Sequence, residues 1–180
     1  MSSDIRRQLI EEVQLSLRAL HSAVDTVNQA VADHLGINRT DLRCVEIVAR
    51  QGPLTAGQLA AASGLTSGAV TTVIDRIEEA GFVRRVRDRT DRRRVRVELI
   101  PAAGLRLHAL YRDLLAASAE NLERYTDDEL HMIGDFVRRG RDITAEHADR
   151  IASLARAASL PAQPATNGPR RARAGEQASS

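Results

Sequence analysis

The chain contains no lysine and no tryptophan, and its 180 residues include one cysteine, two tyrosines and two phenylalanines. Each scarcity excludes something. Cys44 alone cannot form an intramolecular disulfide, which excludes a disulfide-stapled scaffold and fits a reducing compartment. Aromatic residues at 2 % leave the core to Leu, Val, Ile and Ala, a set that suits helices packed on helices. No apolar run approaches the roughly 18 residues needed to span a bilayer. The N-terminal MSSDIRRQLIEEV lacks the apolar stretch and small-residue cleavage site of a secretory signal. The expectation is a soluble, cytoplasmic protein with no membrane role, one domain in size and large enough to bury a core.

Catalytic and metal-binding patterns are missing too. There is no phosphate-binding glycine loop, no nucleophile elbow and no HExxH. His21, His34, His108, His131 and His147 form no His-x₃-His pair, so a zinc site would have to assemble across helices. Glu11-Glu12 and Glu78-Glu79 read as helix surfaces. Cys44 lies in an apolar stretch, where a buried, inert thiol is the ordinary case. No enzyme activity, metal or cofactor is expected.

What is present is concentrated positive charge. Phe82–Glu98, FVRRVRDRTDRRRVRVE, carries eight arginines against three acids, whereas the whole chain sums to only +2. Like charges repel, so such a cluster calls for a partner of opposite sign. All 26 basic residues are arginine, whose planar fork suits phosphate and guanine; the coding bias of the source genome is the alternative account. Apolar residues alternate with arginine on both sides of Asp88-Arg89-Thr90-Asp91, so the stretch is expected to form two short strands with a basic tip. Val95, Val97 and Leu99 would give the return strand one buried side.

Around this hairpin the periodicity is helical. Ile5, Leu9, Val13, Leu17, Leu20, Val24, Val27 and Val31 mark one long helix ending near Gly36. Thr40 can cap a second helix that stops before Gly52-Pro53. Thr55 to Gln58 has capping-box spacing and opens a short third helix, closed by Gly64. Thr66 can cap a fourth, running to Ala80. After Pro101 a helix leads to about Arg124, and Thr126 to Glu129 opens a last one, which Gly134 and Gly140 are expected to weaken and bend. The tail from Ala157 has too little apolar content to order itself. The divisions expected are an N-terminal dimerisation helix at 1–36, a DNA-binding domain at 37–100, C-terminal dimerisation helices at 101–156 and a disordered tail at 157–180.

In the fourth helix Val70, Val73, Ile74 and Ile77 fall on one side. At about 100° per residue, Gly68, Thr71, Thr72 and Asp75 lie opposite, flanked by Ser67 and Arg76. Small hydroxyl residues at a helix start allow close entry into a major groove, where hydroxyls and free backbone N–H groups reach bases and phosphates. Arg76 is placed for a phosphate, or for a local pair with Glu78 or Glu79. A charged wing tip suits a minor groove.

The run LTAGQLAAASGLTSGAVTTVIDRIEEAGFVRRVRDRTDRRRVRVELIPA resembles the winged-helix core of the MarR family of bacterial transcriptional regulators. DRIEEAGFVRR and DRTDRRRVRVEL are its most specific parts, and with the flanking helices the likeness covers about residues 5–155. The resemblance implies a mainly α fold, a winged helix-turn-helix with a small β-hairpin wing flanked by long N- and C-terminal dimerisation helices. It also implies a homodimer reading a pseudo-palindrome in double-stranded DNA, as a repressor in preference to an activator. The fourth helix would be the recognition helix, contributing Ser67, Gly68, Ala69, Thr71, Thr72 and Arg76. The wing would contribute Arg87, Arg89, Arg92 and Arg93, with Asp91 of the Asp-Arg-Arg signature holding the arginines in position. Ile100 stands where a threonine is common, and one extra alanine precedes Gly104. Family members often sense small phenolic or otherwise aromatic effectors, so such an effector is expected, as is association with the nucleoid when DNA is bound. An architectural, weakly specific DNA binder is the alternative.

Overall fold

The computed structural model describes residues 2–88, 91 and 93–158. Eight elements follow in order: α1 (Ser2–Leu35), α2 (Arg39–Gln51), α3 (Ala56–Ser63), α4 (Ser67–Glu79), β1 (Val83–Arg87), β2 (Val95–Leu99), α5 (Pro101–Leu122) and α6 (Asp127–Ala158). They divide into two compact units, Met1–Glu120 and Asn121–Ser180. The expected disordered tail lies, but for its first two residues, outside the described residues.

In the first unit the core is aliphatic, as the shortage of aromatics requires. Leu42, Val45 and Val48 of α2 meet Leu59 of α3 and Val70, Ile74 and Ile77 of α4, all buried in one cluster with Phe82, Val83 and Val97. Val31 and Ala32 of α1 and Ala103 and Leu107 of α5 close it from the flanks. Truncating a fully buried member such as Leu42 to Ala would cost about 2–5 kcal/mol. The outer turns of α1 keep Ile5, Leu9, Ile10, Val13, Leu15, Leu20 and Val24 exposed.

The helix starts follow their side-chain chemistry. Thr55 forms a full capping box with Gln58, and the Thr66 hydroxyl accepts from the Ala69 amide. Gly64 and Gly81 adopt φ of 73° and 74°, the left-handed conformation that turns the chain out of α3 and α4. The cap of α2 differs from expectation. Asn38, not Thr40, is the N-cap, its Oδ1 accepting from the Asp41 amide at 2.9 Å. Asparagine matches or exceeds threonine as a cap, so the helix begins ahead of the threonine.

β1 and β2 pair antiparallel, from Val83 opposite Leu99 to Arg87 opposite Val95. Leu54 adds an unanticipated bridge, donating to the Val97 carbonyl at 3.0 Å and accepting from the Val97 amide at 2.7 Å. The hairpin is therefore the outer part of a small sheet whose inner edge is the α2–α3 connection. The return strand is not buried along a whole side: Val97 is buried, Leu99 is half-buried and Val95 is 50 % exposed. Exposure thus rises along β2 from Val97 toward Val95. At the other end, a Cβ on Gly104 would lie 2.9 Å from Leu99 Cδ2, so the first turn of α5 sits tight against the end of β2.

The described part of the second unit is dominated by α6. Thr126 and Glu129 form the expected capping box, with the Thr126 amide 2.9 Å and the Glu129 amide 3.4 Å from their acceptors. The Thr126 amide and hydroxyl hold the Glu129 carboxyl below its ordinary pKa. The helix continues unbroken through Gly134 and Gly140, since hydrogen bonding on both sides of a single glycine sustains it. It leaves Met132, Phe136, Val137, Ile143, Ile151 and Leu154 exposed.

Candidate nucleic-acid interface

The amphipathic split of α4 is clean. Val70, Val73, Ile74 and Ile77 are buried, whereas Ser67, Gly68, Ala69, Thr71, Thr72, Asp75 and Arg76 are exposed. With the Ala69 amide taken by Thr66, the Ser67 and Gly68 amides remain as donors at the positive end of the helix dipole. The Thr71 and Thr72 hydroxyls donate back to the Ser67 and Gly68 carbonyls at 3.0 and 3.3 Å. Their lone pairs are thereby turned outward as acceptors. A Cβ placed on Gly68 would meet nothing within 4 Å, so this position is open to whatever approaches the helix.

Arg76 pairs with neither Glu78 nor Glu79. Its Nε donates to Asp41 Oδ2 at 3.0 Å and its Nη2 to Asp41 Oδ1 at 2.6 Å, a two-bond fork to an α2 residue that is almost fully buried. Hydrogen bonding to Asp41 raises the already high pKa of Arg76. Sequence periodicity could not find this pair, because its members are far apart in the chain and meet only when α2 crosses α4. The hint was an aspartate at an otherwise inward-facing α2 position, which burial without a partner would penalise.

In the wing, three of the four strand arginines are occupied. Arg84 pairs across the sheet with Glu98. Arg85 reaches back to α4, its guanidinium bonded to Glu78 and Asp75. Arg96 pairs with buried Asp88 and donates to the Pro53 carbonyl at 3.3 Å. Glu78 is therefore more than a solvated helix surface. Asp91 accepts from the Arg93 amide at 3.1 Å and pairs with Arg94 at 3.3 Å. The residue that anchors the turn from below is Asp88, which also accepts from the Asp91 amide. Asp88 lies on the same strand face as Arg84, where ion pairs with Arg96 and Glu98 form. Among the described residues, Arg87 and Arg93 have exposed side chains and no ion-pair partner. Arg89 and Arg92 lie outside the described residues.

Away from this face, Cys44 is buried, and desolvation raises its thiol pKa. Tyr111 of α5 has its hydroxyl 2.8 Å from both Asn28 Oδ1 of α1 and Glu46 Oε1 of α2, and burial together with Glu46 pushes its pKa well up. Among the described residues no three of His, Cys, Asp and Glu gather as a metal site, and no helix is long and apolar enough to cross a membrane.

Two helices joined at a tight turn, the second with an exposed polar face, followed by a β-hairpin backed on the same core, define a winged helix-turn-helix protein. The MarR family model matches residues 37–95. The uncharacterized HTH-type transcriptional regulator YcgE of Bacillus subtilis is 36 % identical over 152 residues, covering 84 % of this chain and 99 % of the relative. The chain belongs to the MarR family of transcriptional regulators. Among solved structures, a MarR family protein from Bacillus stearothermophilus aligns over 77 % of this chain and 97 % of its own, with a TM-score of 0.59 and 21 % identity. Streptococcus pneumoniae FabT, solved in complex with DNA, aligns over the same shares, with a TM-score of 0.58 and 22 % identity. The mainly α fold with a hairpin wing is thus the one the sequence implied.

Proposed function

We propose that this regulator binds a pseudo-palindromic operator as a homodimer and acts as a ligand-responsive repressor. The observation that carries the reading is the exposed face of α4, with its free amides and hydroxyl acceptors, taken together with the exposed Arg87 and Arg93 of the hairpin, which have no ion-pair partner among the described residues. In this reading Ser67, Gly68, Ala69, Thr71, Thr72 and Arg76 enter a major groove, and Arg87, Arg89, Arg92 and Arg93, ordered by Asp91, reach the adjoining minor groove. Streptococcus pneumoniae FabT, which shares this fold, was solved in complex with DNA, and that supports a DNA-binding role here. The residues at 1–36 and 101–156 would pair two copies, because α1 and α6 each leave apolar side chains exposed. The residues at 37–100 would form the DNA-binding domain. A small aromatic effector bound between the dimerisation helices and the winged helix would change the mobility or separation of two recognition helices and so release DNA.

The architectural alternative treats the wing as bulk charge. The ion pairs of Arg84, Arg85 and Arg96 count against it, because they spend strand arginines on holding the wing in place. The test is selection of bound sequences from random duplex DNA at physiological salt. An enriched pseudo-palindrome with half-sites about one helical turn apart is expected. Binding without an enriched motif would move the assignment to the architectural reading. An operator upstream of a reporter would then give the sign of regulation, with repression expected.

A further inference from the structure

We propose that Asp41 is a positioning residue for sequence reading: it holds Arg76 in a fixed fork, turning a mobile surface cation into a directed donor and suppressing capture of DNA of any sequence. The inference rests on α4 being the DNA-reading helix.

Asp41 lies on α2, does not belong to the exposed face and is only 3 % exposed. Its carboxylate accepts three bonds: two from Arg76 and one from Asn38 Nδ2 at 2.9 Å. Asn38 is itself fixed, since its Oδ1 caps the helix through the Asp41 amide. The acid therefore has no freedom to follow the arginine; the arginine must come to it. A purely structural ion pair would be expected to bury both partners, yet the Arg76 side chain stays 44 % exposed. Arg76 also lines a groove shared with Ala69 and Thr72 of the polar α4 face. Arg76 is thus presented beside the residues proposed to meet bases, with its charge already matched. An unpinned arginine there would sample many rotamers and reach whichever phosphate lay near, adding affinity that carries no sequence information.

The experiment compares wild type, Asp41→Asn and the double variant Asp41→Asn/Arg76→Gln, each as the full chain. Binding to the selected operator and to a scrambled duplex is measured across a salt series. Asp41→Asn is expected to bind scrambled DNA more tightly and to steepen the log K against log salt slope by about one, the signature of one more neutralised phosphate. Its preference for operator over scrambled DNA should fall roughly tenfold, the scale of one directed contact. In the double variant, whose pair is again neutral, the slope should return to the wild-type value. An unchanged slope and preference in Asp41→Asn would overturn the proposal, as would a steepened slope that persists without Arg76. Loss of stability alone would show a structural role and also overturn it. Should Asp41→Asn not fold, Asp41→Glu keeps the charge but displaces the fork. It should lower the preference with no change in slope, and an unchanged preference would refute the proposal. Wild type lacking any operator preference would refute the proposed function instead, a result the scrambled-duplex slope does not depend on.

Discussion

Glu78 holds Arg85 twice, accepting from its backbone amide at 2.8 Å with one oxygen and from its guanidinium with the other. The fourth helix and the hairpin are therefore joined by a side chain of the helix and both main chain and side chain of the strand. Glu78→Gln is expected to lower stability by about 1 kcal/mol, the upper range for pairs with partial exposure. It should speed hydrogen exchange at the Arg85 amide more than at the amides of α2. Unchanged Arg85 exchange would show that the sheet alone positions the wing.

The wing arginines should separate into two groups. Arg87→Ala and Arg93→Ala remove side chains with no ion-pair partner among the described residues, and each should weaken operator binding and reduce the salt slope by about one. Arg84→Ala removes a cation already neutralised by Glu98 and should leave the slope close to wild type. Mass by light scattering should be unchanged in all three. A shift to a smaller species in Arg93→Ala would place the wing in an assembly contact.

Gly68 offers a test of close approach. Gly68→Ala should stabilise the helix by roughly 0.5–1 kcal/mol, because alanine loses less entropy and the added carbon meets open space. In the same variant, operator affinity should fall as the methyl intrudes between α4 and the groove. Thermal unfolding beside an operator titration checks both. Equal DNA affinity would mean that the start of α4 stands off from its partner.

Alkaline stability follows from two buried protons. Folding raises the pKa of Cys44 and of Tyr111 above the values of 9.0 and 10.0 that they would show unperturbed. Below pH 9.0 both groups are protonated in either state and their contribution is fully present. Above it the unfolded chain releases protons that the folded chain retains, so stability declines as pH rises through the folded values. The urea midpoint should fall from about pH 9 upward, with Cys44→Ala removing the earlier part of the decline and Tyr111→Phe the later part. A midpoint as flat in wild type as in the double variant would contradict the assignment.

The apolar faces of α1 and α6 predict association. Leu9→Asp and Phe136→Asp each place a charge among side chains exposed in the single chain, so neither should unfold it. Each should instead convert a dimer to a monomer and abolish operator binding at concentrations where wild type binds. Light scattering with a DNA titration would decide, and a wild-type monomer would remove the dimer from the proposed function.

Much of this molecule could be derived from short-range pattern. The caps at Thr55, Thr66 and Thr126, the glycine stops and the polar face of α4 all depend on residues within one or two turns of each other. What escaped was long-range. The Arg76–Asp41 fork, the Leu54–Val97 bridge and the Tyr111–Glu46 contact join segments that no local period relates. The wing shows both cases at once. Its alternation gave the strands, but charge counting treated as free several arginines that the register pairs with Glu98, Glu78 and Asp88. Asn38 taking the cap expected of Thr40 is a smaller instance, a choice between two residues both able to cap, in which the asparagine two positions earlier takes the role.

The bridge between Leu54 and Val97 makes β2 an inner strand, with main-chain partners on both sides. Swinging the wing would therefore require rupturing a sheet, a far costlier motion than flexing a two-stranded ribbon at its base. The base of the hairpin is thus tied by main-chain bonds to the helical body at Leu54. A displacement of the helical body would therefore carry the base of the hairpin with it, since the α2–α3 connection and β2 share those main-chain bonds.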